Sequence, residues 1–221
     1  MVSLTGLATE SFQHPEEKAA LDTLNKAKWL KDLLQWAAKT EAKYHLRINA
    51  LGNCYPITSA DMPELYRLTG EVCGTLDYAP VPQLFVYRAY TFDVDIYAGE
   101  PDVIIIPDLV INEFTPDMLR FKLGRCITAL KSQEAKLSLA VTTISQTVDG
   151  IPIAGDIALP PLADWSRKAK FTQDRGGLLA CQDAGAAYRV LLREAGMPQR
   201  YLNAAAVPQY IRTYQSGAAL V

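Results

Sequence analysis

The sequence predicts an α+β fold, mostly helical, with a small three- to four-stranded sheet beside one central helix. Three observations predict it. Apolar residues recur at helical spacing in several long stretches. Three short runs rich in branched and aromatic residues sit together between residues 83 and 106. Helical spacing then resumes toward the end of the chain. No repeat, low-complexity tract or linker divides the sequence, so a single domain, 1–221, is expected.

Residues 1–15 read as a loosely held leader ending in His14-Pro15. Residues 16–44 are helical in pattern, with Leu21, Leu24, Trp29, Leu33 and Trp36 inward, as one helix or as two joined near Lys26. A short strand-like run at 45–48 and a turn at Gly52-Asn53 follow, then a loop over 56–61. Pro63 opens a helix that buries Leu65, Leu68, Val72 and Leu76. Residues 83–90, 93–97 and 103–106 are the strand runs, and Val103, Ile104, Ile105 and Ile106 are apolar on both faces, as inside a sheet.

The central helix is expected over 117–134. Thr115 is its N-cap, Pro116 fits the first helical position, and Asp117 suits the positive first turn. Leu119, Leu123, Cys126, Ile127 and Leu130 form one apolar face, and Met118, Lys122, Arg125 and Ala129 form another. Further helix is expected over 137–148 and a loop over 150–161. Asp164 is expected to cap a helix over 164–183, with a last long helix over 184–196 and a short one near 208–214.

At 49% hydrophobic and 21% charged, the chain can bury a sizeable core, and a net charge of -2 points to neither nucleic acid nor an anionic membrane surface. No apolar run approaches the ~20 residues of a membrane span. Cys54, Cys73, Cys126 and Cys181 are scattered without a C-x-x-C pair, which fits reduced thiols in the cytoplasm.

Residues 63–182 resemble the soluble HtpX-like zinc peptidases, a gluzincin family. Four segments carry the likeness in order: PELYRLTGEVCGTL, QLFVYRAYTFDVDIYAG, DVIIIPDLVINEFTPDMLRFKLGRCITALKSQE and DWSRKAKFTQDRGGLLACQD. The resemblance implies a zincin-like fold. In that family two histidines of H-E-x-x-H bind zinc, the Glu activates a metal-bound water, and a later Glu completes the metal site. Alignment sets Arg125 and Ala129 where the histidines would be, Cys126 at the Glu and Lys170 at the third ligand, while Arg167, Asp174 and Arg175 match. Asp95 replaces the family's strand-turn Asn.

Arg carries no lone pair to offer a metal, and the two histidines, His14 and His45, lie far upstream. The expectation is a pseudopeptidase: no catalytic residue, no metal and no cofactor. It would act through a protein or peptide segment held at the former cleft, or through a second copy of itself. The alternatives are a hydrolase with an unrecognised constellation and a purely structural assembly subunit. The strand 103–106 flanks the family's cleft, where it would add an extended peptide at its edge. Arg125 and Lys170 would face one another across that cleft. They would then need a carboxylate, with Asp174 and Asp95 as first candidates, or would capture an anion. Cys126 reads as a core thiol, and the acids Asp93, Asp95, Glu100 and Asp102 read as turn chemistry.

Overall fold

The computed structural model describes residues 2, 4–27, 52–132, 134–135, 137, 152–202 and 208. The expected segments at 28–51, 138–148 and 209–214 lie outside them. Within the described residues the fold is α+β, mostly helical with one four-stranded mixed sheet. None of the described helices is long and apolar enough to cross a membrane.

The supposed leader is tied down. Leu4 N–H donates to Thr75 O at 3.2 Å and Gly6 N–H to Asp77 Oδ2 at 3.0 Å. Phe12 is buried, and Arg175 Nη1 donates to the carbonyls of Phe12 and Gln13. These contacts come from residues far along the chain, so local sequence carried no sign of them. Helix α1 (Pro15–Asn25) follows, with Pro15 at its first position and His14 Nδ1 accepting from Glu16 N–H.

Gly52 and Asn53 are helical rather than a turn, and the expected loop after them begins as strand β1 (Tyr55–Ile57). Pro56 hid it: proline lacks a donor, yet an edge strand tolerates it. Helix α2 (Pro63–Thr75) buries Leu65, Leu68 and Val72 as the spacing requires. Strands β2 (Gln83–Tyr87), β3 (Asp95–Tyr97) and β4 (Val103–Pro107) complete the sheet in the order β1-β2-β4-β3. β4 runs parallel to β2, with Leu84 opposite Ile104, and antiparallel to β3, with Ile96 opposite Ile104. Leu84, Ile104 and Ile106 face the main core, while Phe85, Val103 and Ile105 cluster on the other face with Tyr87 and Tyr97.

A short helix α3 (Asp108–Glu113) leads into α4 (Pro116–Lys131). α4 starts as its sequence dictates, with Thr115 Oγ1 accepting from Met118 N–H at 3.4 Å. It ends earlier than expected, because Ser132 is already extended. α4 is buried on almost every side against α2, the long helix α5 (Pro152–Cys181) and α6 (Ala184–Glu194). Its second face is therefore not polar surface: Met118, Lys122 and Ala129 are all buried.

α5 overturns two expectations. Residues 152–161 are helical despite Pro160 and Pro161, not a loop, and Asp164 lies inside the helix rather than at its cap. Its carboxylate instead accepts from Arg167 at 3.1 Å and Lys168 at 2.7 Å, one turn on. α6 is capped by Asp183, whose Oδ1 accepts from Gly185 N–H at 2.8 Å.

Candidate functional site

The site forms where α4, α5 and α6 meet. Lys122 and Arg125 are three residues apart on α4, so both point the same way. Glu194, the last residue of α6, receives both: Arg125 Nη1 donates to Oε2 at 2.8 Å and Lys122 Nζ donates to Oε1. Asp174 of α5 brings Oδ1 to 2.9 Å from Arg125 Nε. That second contact is an ion pair in distance only. Its alignment is too poor for a hydrogen bond, and both atoms lack another partner among the described residues.

Burial decides the weight of this cluster. The side chains of Arg125 and Lys122 are 12% and 9% exposed, well inside the range where losing one partner strands a charge. Burial works against the charge on Arg125, but Glu194 and then Asp174 outweigh it, and the guanidinium is held above its ordinary value. Burial pushes the Asp174 carboxyl up; Arg125 pulls it down only in part, and Glu194 adds repulsion. Two cations meet two carboxylates, so the cluster holds no unmatched positive charge to attract an anion.

α4 and α5 pack too closely to leave a groove where they cross. A methyl group placed on Gly176 would lie 1.8 Å from Thr128 Oγ1, and one on Gly177 would lie 2.9 Å from both Arg125 Cγ and the Phe121 ring. Gly124 meets Ala180 and the Gly177 backbone in the same way. Glycine is needed here because the helices touch almost backbone to backbone. Lys170 is exposed and makes no ion pair with the cluster among the described residues, acting on Asp174 only at a distance. Asp95 is not the partner of Arg125 either. It sits on β3, where burial first and Asp93 second push its carboxyl up.

Val103, Ile104, Ile105 and Ile106 do not form a peptide-binding edge. β4 lies between β2 and β3: Val103, Ile104 and Ile105 are paired on both sides and Ile106 on the β2 side, so the strand is not a sheet edge. Cys126 is buried and its thiol is pushed up to about 11 by that burial, which makes it a poor nucleophile.

These residues do not fit zinc. Arg125 has no acceptor, Ala129 offers a methyl group, and Lys170 points to solvent. Among the described residues no group of three or more His, Cys, Asp or Glu side chains is placed to hold a metal. Comparison with family models, with curated proteins and with solved structures yields no match.

Two members of the cluster, Lys122 and Glu194, escaped sequence reasoning. Glu194 lies 69 positions from Arg125, and nothing local in a helix-ending Arg-Glu marks it as an interior partner. Lys122 carried a signal: it shares the face of Arg125 on a helix too apolar to leave that face in water.

Proposed function

We propose that this chain is a non-catalytic relative of the HtpX-like peptidase fold that works through protein contacts on its outer surface. The observation that carries the reading is the place of Arg125. Where the resemblance puts the first zinc histidine stands a guanidinium held by Asp174 and Glu194, at a helix junction. An ion-pair cross-link then does the mechanical work that a metal would do, tying α4 to α5 and α6. The close α4–α5 crossing and the place of β4 between two strands favour assembly with another protein, or with a second copy, over capture of an extended peptide. The cytoplasm is the compartment that fits, since all four cysteines are free thiols.

Metal analysis of protein purified without added metal tests this. The expected result is zinc far below one per chain and no casein hydrolysis. Stoichiometric zinc released only by chelator, together with hydrolysis, would overturn it. Light scattering across a concentration series distinguishes self-association from a lone chain awaiting another partner.

A further inference from the structure

A second polar cluster lies apart from the Arg125 junction, between α1, α5 and the segment that follows α4. Glu17 of α1 is 2% exposed. It accepts from Trp165 Nε1 at 3.3 Å and from Thr172 Oγ1 at 2.8 Å, both on α5. Thr172 also accepts from His14 N–H at 3.0 Å, so the start of α1 is fixed at the same point. Glu134 is 6% exposed and accepts from Gln173 Nε2, the next residue of α5. Two buried carboxyl groups therefore hang from adjacent residues of one helix, each with neutral donors and neither with an ion pair among the described residues. Burial and the nearby Glu17 both favour the protonated form of Glu134.

The charged and titratable groups around them come from α1, α4 and α5, and they include His14, the N-cap of α1. From α4, Arg125 acts on Glu134 at a distance, but Asp174 and Glu194 already hold it. From α5, Lys170 acts from an exposed position. Lys131, at the end of α4, is turned away and donates to the carbonyls of Leu76 and Asp77 at 2.7 Å each. Glu16 and Lys18, flanking Glu17 on α1, are exposed.

We propose that Glu17 and Glu134 form a proton-controlled latch that docks α1 on α5. The latch is closed while Glu134 holds its proton and is loosened when Glu134 gives that proton up beside Glu17. Two buried like charges then repel, and the lowest-cost relief is to let α1 lift. α1 leans on α5 through one small apolar cluster, Leu24 with Leu137, Leu162, Trp165 and Ala169, rather than through the main core. The latch would couple surface presented by α1 and α5 to pH near neutrality.

Amide hydrogen exchange on the full chain tests this. α1 protection, corrected for intrinsic rates, should fall on the order of tenfold further than that of α2 between about pH 5.5 and about pH 8.5. Glu134→Gln should keep α1 protected at both pH values. Unchanged protection of α1 in the natural protein, a fall shared equally by α2, or a fall that persists in Glu134→Gln would each overturn the latch. Should Glu134→Gln not fold, Glu17→Gln carries the same test, because removing either charge removes the repulsion. A carbon-13 titration of the Glu134 carboxyl in the natural protein supplies an independent readout. A midpoint near the ordinary value for glutamate overturns the proposal, and a midpoint near neutrality supports it.

Discussion

Arg125 is the residue on which the α4–α5–α6 junction turns. Replacing it with glutamate sets three carboxylates together in a buried place. The expected loss is about 3–5 kcal/mol of unfolding free energy, read by urea denaturation. Adding Asp174→Arg returns a cation within reach of both Glu194 and the new acid, so the double variant should regain much of the loss. A double variant no more stable than the single one would refute the ion-pair account. Glu134 sets a pH dependence with its own sign. Its carboxyl is pushed up to about 7 by burial, above the ordinary 4.5. The folded chain therefore holds that proton more tightly than the unfolded chain does. The stabilisation is full below about pH 4.5 and is lost as pH rises through about 7, amounting to about 3 kcal/mol. Urea midpoints for the natural protein and Glu134→Gln should diverge across that window; parallel profiles would contradict the assignment.

At the scale of elements, the α4–α5 crossing depends on missing side chains. Gly176→Ala should destabilise by about 1–3 kcal/mol, because its methyl group lands 1.8 Å from Thr128 Oγ1 on a helix that cannot retreat. Gly70→Ala is the contrasting case. It lies within α2 and its new methyl meets nothing within 4 Å, so helix propensity alone should stabilise by about 0.5–1 kcal/mol. Thermal melts of the two variants in parallel check both signs. The small residues Gly124, Gly176, Gly177 and Ala180 are visible in the sequence, but their complementarity is not. Residues 124 and 176 are neighbours only because the helices cross there. The reverse holds for α4 itself, whose cap, first turn and apolar stripe are all local and all legible.

For the molecule as a whole, the first residues act as a strap across α2 and α5. Removing residues 1–13 takes away buried Phe12 and the bonds to Thr75, Asp77 and Arg175. The expected cost is about 2 kcal/mol or more, measured by denaturant unfolding with the helical circular dichroism otherwise retained. A truncated chain as stable as the full one would show that the strap is incidental.

The sequence by itself determined the α+β class, the extent of α2, the starts of α4 and α6, and the doubly apolar character of β4. Each follows from periodicity, capping chemistry or composition within a few turns of chain. It also determined that Arg125, Ala129 and Lys170 offer zinc no ligands, since that is a property of the side chains wherever they lie. Only the tertiary structure decided who neutralises Arg125, which strands flank β4, that residues 152–161 are helical, and that Glu17 and Glu134 hang from adjacent residues of α5. Those outcomes depend on which distant segments are brought within a few ångströms. Coulomb attraction, steric exclusion and desolvation act on that proximity and not on order along the chain.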